Sequence, residues 1–88
     1  MSIKEDFISL LDKLQEERDE INLKLHLASM EVKQELDEAE KQWVRLKIKA
    51  TEIADESVQT SEEFINKAKI IGEELKETYY RIGKRLTD

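Results

Sequence analysis

Cysteine and proline are missing from the sequence, and there are only two glycines among its 88 residues. Without cysteine there is no disulfide framework and no thiolate to bind metal or attack a substrate. That absence suits a reducing compartment, and a cytoplasmic location is expected. Without proline, and with so little glycine, the usual breaks in helical structure are scarce. No run approaches eighteen apolar residues, so no membrane-spanning helix is expected. The start, "MSIKEDF", has acidic residues and no apolar run behind a basic opening, so it does not read as a secretory signal. Basic charge is also in short supply. The formal net charge is −6, which disfavours general binding to a phosphate backbone. Residues 1–60 carry all of that charge, while residues 61–88 balance at zero.

What the sequence has is spaced apolar residues among many charges. Charged residues make up 41% and apolar residues 39%. Disordered chains share the first property and lack the second. One apolar series runs Ile3, Phe7, Leu10, Leu14, Ile21, Leu25, Ala28, Val32, Leu36, Ala39, Trp43, Leu46, Ala50, Ile53. Its steps are three and four, with one member missing at Glu17. That is a stripe on a helix, sustained for about fourteen turns. Leu23, Leu27 and Met30 add a second row, and Val44 and Ile48 widen the face further on. Faces this wide fit a bundle better than a narrow two-stranded seam.

Helix ends are marked by polar residues. Ser2 and Glu5 have capping-box spacing, and so do Thr60 and Glu63. Within "ADESVQTSEEF", residues 54–64, Ser57 and Thr60 stand where the stripe would continue. The spacing therefore predicts a first helix over about 3–56, a turn over 57–60 and a second helix over about 61–86. The row of the second helix, Phe64, Ala68, Ile71, Leu75, Tyr79, Ile82 and Leu86, contains consecutive steps of four, an eleven-residue rhythm that predicts weak supercoiling. Gly72 and Gly83 lie eleven apart on one face and suggest a close helix neighbour. Arg81, Lys84 and Arg85 suit the negative end of a helix.

These lengths predict an all-α fold: one helical domain over residues 1–88, a long helical hairpin or antiparallel coiled coil. A first helix of that length spans about 80 Å, and the second covers only half of it. The uncovered stripe then needs a second chain. Expected interface residues are Phe7, Leu10, Leu14, Ile21, Leu25 and Leu27, with Trp43 and Tyr80 at further contacts. The alternatives are one continuous helix, or a three-helix bundle with a break near Ala28–Ser29–Met30, where neither a capping box nor a glycine stands.

Catalytic chemistry is hard to place. His26 is the only histidine, and Leu23 stands where a Glu-x-x-His motif needs its glutamate. There is no glycine-rich phosphate loop and no EF-hand pattern. Runs such as Glu16, Glu17, Asp19, Glu20 read as solvated helix faces supported by pairs such as Glu20–Lys24 and Asp37–Lys41. The sequence therefore predicts a protein that is not an enzyme and takes no metal or cofactor. It is expected to be a homo-oligomer, dimer or tetramer, and to meet a protein partner as a scaffold or adaptor. The alternative is a peripheral membrane protein, in which Tyr79, Tyr80 and Arg81 touch a lipid surface.

The stretches "LHLASMEVKQELDEAEKQWVRLKIKATEIADES" and "AKIIGEELKETYYRIGKRL" resemble a set of small bacterial coiled-coil proteins of unknown function. Shared features are the Leu-His-Leu-Ala start, the Trp-centred middle, the Ser/Thr-rich interruption and the Gly-Glu-Glu-Leu-Lys ending. The resemblance covers residues 25–86 and implies a helical fold and a bacterial origin, with no activity or site attached. The eleven-residue rhythm is also similar to that of apolipoproteins and desiccation-protective proteins, although the core residues here are larger than the latter usually carry.

Overall fold

The computed structural model describes residues 2–55 and 57–87, with the side chain of Thr87 excepted. The described chain is all helical, in three helices: α1 (Ile3–Leu23), α2 (Met30–Ala54) and α3 (Glu62–Thr87), with one short 3-10 turn, Leu25–Leu27, between α1 and α2. Ser2 caps α1, its Oγ accepting from the Glu5 amide at 3.2 Å. The all-α expectation holds, and the long first helix does not. The molecule measures 43 × 22 × 18 Å, about half the length an unbroken helix over 3–56 would need. The three-helix alternative is the one adopted.

The break lies over residues 24–29. Lys24 leaves helical geometry, and Ala28 and Ser29 are extended, with ψ of 136° and 168°. Ser29 then caps α2 by accepting from the Val32 amide at 3.2 Å. A single serine cap replaces the capping box that the sequence lacks there. The apolar steps ran through this region unbroken because Leu25 and Ala28 pack on the core in the turn as well.

Magnitudes favour the break. Interrupting the helix forfeits a few hydrogen bonds, each worth about 1 kcal/mol net, and the Ser29 cap recovers part of that. Folding back buries Phe7, Leu14 and Ile21 to 0–5% exposure, and each large side chain contributes about 1.5–3 kcal/mol. The chain thus covers its own stripe without a partner.

The three helices run up, down, up. α3 packs along both α1 and α2 more closely than those two pack on each other. The core of α2 is the expected row, Val32, Leu36, Ala39, Trp43, Leu46 and Ile53. The core of α3 differs from expectation. Its innermost residues are Ile65, Ala68, Gly72, Leu75, Tyr79, Ile82 and Leu86, a strict alternation of three and four. Gly72 completes that heptad row, and it escapes an apolar count because it has no side chain. Phe64 and Ile71 flank the core, half-buried.

A Cβ on Gly72 would come within 2.8 Å of Leu10 Cδ2, so here glycine does admit a close helix. At Gly83 a Cβ would meet nothing within 4 Å, so the paired role expected for the two glycines applies to Gly72 alone.

The α2–α3 connection falls where the Ser/Thr-rich stretch predicted a turn. Asp55 Oδ1 accepts from the Ser57 amide at 2.9 Å and the Ser57 hydroxyl at 2.6 Å, and these bonds hold the Asp55 carboxyl below its ordinary pKa. Glu56, expected as the last residue of the first helix, lies outside the described residues. The cap of α3 is Ser61, whose Oγ accepts from the Phe64 amide at 3.1 Å. Thr60, the expected cap, instead has its hydroxyl buried without a protein partner.

Candidate interaction surfaces

The residues expected at an oligomer interface divide sharply. Phe7, Leu14, Ile21 and Trp43 are at most 5% exposed and belong to the intramolecular core. Leu10 and Leu25 are half-buried against it. Only Leu27 and Tyr80 stay open to solvent, at 58% and 66%. A straight first helix would leave Phe7, Leu10, Leu14, Ile21 and Leu25 uncovered; the folded-back chain instead packs them in or against its own core, and Trp43 of α2, expected at a further contact, lies in that core too.

The structure exposes other apolar residues. Leu23, Leu27 and Met30 surround the α1–α2 turn, and Val44 and Ile48 lie on the outer side of α2. Ile8 and Ile70 are also exposed. In the sequence Leu23, Leu27 and Met30 appeared as a second row of one helix, and Val44 and Ile48 as flanks of the Trp43 row. Those rows were the legible signal; which of them would face water was not.

A polar seam joins α1 to α2. Arg18 forms a fork with Glu40, Nε to Oε1 at 2.5 Å and Nη2 to Oε2 at 3.1 Å. The Arg18 guanidinium and the Lys47 ammonium both lie within 6 Å of the Trp43 ring centroid, a cation–π arrangement. The hydrogen bond to Glu40 is the main reason the Arg18 pKa is raised. Tyr79 reaches this region from α3. Its hydroxyl is buried without a protein hydrogen-bond partner, and burial, with Glu40 second, pushes its pKa well above the ordinary tyrosine range. Glu17 Oε2 is likewise buried and unpaired, and desolvation raises its pKa against the pull of Lys76 and Lys13.

Ion pairs also tie α3 to α2. Arg85 bonds Glu35 at 2.6 Å and approaches Glu31 at 3.5 Å. This basic residue at the end of α3 therefore serves a neighbouring helix as well as the helix dipole.

The grooves between helices are open to solvent. One of about 880 Å³ runs past Glu17, Ile70, Glu73, Glu77 and Tyr80, with Lys76 and Arg81 among its lining. Another of about 310 Å³ lies beside Trp43, Val44 and Ile48. Both carry charges of both signs. Among the described residues no three His, Cys, Asp or Glu side chains group as a metal site. His26 is exposed on the 3-10 turn. No described helix is long and apolar enough to cross a membrane. Comparison with protein-family models, curated proteins and solved structures finds no match for this chain.

Proposed function

We propose that this protein is a non-enzymatic helical module that self-associates and presents helix surface to a protein partner. One observation carries the reading. A bundle with an internally complete core leaves large side chains in water on one side: Met30 at 76%, Val44 at 53% and Ile48 at 65%. Exposed apolar residues grouped this way favour a protein surface over solvent. The open, mixed-charge grooves support the same view, because a small-molecule site is normally concave and mostly apolar with a few convergent polar groups. The absence of cysteine in the whole sequence suits a cytoplasmic setting.

Sedimentation equilibrium from micromolar to millimolar protein tests the proposal. The weight-average mass should rise with concentration above that of one 10.4 kDa chain. A constant monomer mass over the whole range overturns the self-association.

The lipid-surface alternative loses Tyr79, which is in the core at 1% exposure. It gains the end of the bundle, where exposed Leu23 and Leu27 flank Lys24 and His26. On that reading the chain co-sediments with anionic vesicles; on the favoured one it stays in the supernatant.

A further inference from the structure

The outer side of α2 carries a second apolar-and-charged row, opposite the one that faces the core. It runs Met30, Gln34, Asp37, Lys41, Val44, Ile48, all exposed. The steps are four, three, four, three, four. That is a heptad seam of the a/d kind, about 27 Å long at ~1.5 Å rise per residue. None of its six residues is used by the intramolecular core.

We propose that this row is the contact between two copies of the chain, paired antiparallel through α2 about a two-fold axis near Ala39. This deepens the self-association reading and rests on it. The row has the same spacing in both directions, so an antiparallel partner meets it layer for layer. Met30 of one copy packs on Ile48 of the other, Gln34 on Val44, and Asp37 on Lys41. Each kind of layer occurs twice, as a two-fold interface requires. The exposed apolar residues fall at the ends and the charges at the centre.

Charge selects the direction. In a parallel pair Asp37 would stand on Asp37 and Lys41 on Lys41, both repulsive. In the antiparallel pair the same four groups form two opposite-charge contacts. Polar groups at seam positions commonly set register and orientation in this way. In the single chain Lys41 reaches Glu38 at 3.3 Å, and both side chains are about 70% exposed or more. Such a surface pair is weak and yields readily to a neighbour. Beside the seam Glu31 comes opposite Arg45, while Lys33 comes opposite Lys47 and Glu38 comes opposite its own copy near the axis. These flanking groups are solvated, so the central layers decide the direction.

The test is a charge swap on the full chain, followed by sedimentation equilibrium with circular dichroism as the check on folding. All three variants change exposed residues, so helix content should stay that of the parent. Asp37→Lys alone and Lys41→Asp alone should each weaken dimerisation about tenfold or more, since each turns two attractive layers into repulsive ones. Asp37→Lys with Lys41→Asp should restore the parent constant to within about threefold. Single variants that dimerise like the parent overturn the seam while leaving self-association through another face. A double variant as weak as the singles shows that Asp37 and Lys41 do not pair across the contact and also overturns the antiparallel seam. A parent chain that stays monomeric overturns both this seam and the reading on which it rests.

Discussion

The two glycines of α3 show how one residue type takes opposite roles a few turns apart. Gly72 sits under Leu10, and a Cβ there would force the Leu10 side chain to move. Gly83 has space beside it. Glycine costs a helix interior up to about 1 kcal/mol relative to alanine. Gly83→Ala should therefore stabilise the fold by about 0.5–1 kcal/mol. Gly72→Ala should gain less or lose, because displacement of Leu10 offsets the helical gain. Urea denaturation of the two variants checks the order.

Glu17 is a second case at the residue scale. Desolvation raises its pKa in the folded chain, so folding favours the protonated carboxyl more than the unfolded chain does. The penalty is present above the folded pKa and disappears as pH falls through it toward the unfolded value. Glu17→Gln should accordingly stabilise the protein at neutral pH, with a gain that shrinks on acidification. Thermal melts at pH 7 and at pH 4 read out that difference.

At the scale of elements, the decisive feature is the break between α1 and α2. Helix propensity does not favour it, and no glycine or proline marks it. It exists because the stripe before residue 24 and the stripe after residue 30 can cover each other through α3. Ser29 then satisfies one of the amides that the new helix end leaves free. Ser29→Ala should lower stability by about 1 kcal/mol, or about 4–8 °C in melting temperature for a chain this size. Ser61 holds the equivalent place at the start of α3. The sequence showed a cap in that stretch and named Thr60, one residue early. Boundaries shift this easily where hydroxyl residues stand side by side, since each can cap in its own register.

At the scale of the whole molecule, a self-covered core changes what oligomerisation is for. A long hairpin would need a partner in order to fold. This bundle buries its own core, so the proposed association would add a surface contact to an already folded chain. Small-angle scattering on dilute protein should give a monomer radius of gyration close to the 14.1 Å of the Cα trace, a little larger for hydration. A particle of about 80 Å length would instead indicate the straight hairpin.

The all-helical character was legible in the sequence, because steps of three and four place apolar residues on one side of a helix whatever that side then meets. So was the turn after Ile53, where Ser57 and Thr60 interrupt the row. The row Val32, Leu36, Ala39, Leu46 and Ile53 of α2 went to the core as its spacing implied, and Trp43, expected at a contact between chains, went with it. Three things were decided only by the tertiary structure. The break at residues 24–29 depends on what the folded-back stripes can bury, a long-range gain that local spacing does not contain. Gly72 entered the core row because Leu10 needed its room, a fact about α1 and not about α3. Phe7, Leu14 and Ile21 became core while Met30, Val44 and Ile48 were left in water, because three helices around one axis can each turn only one stripe inward.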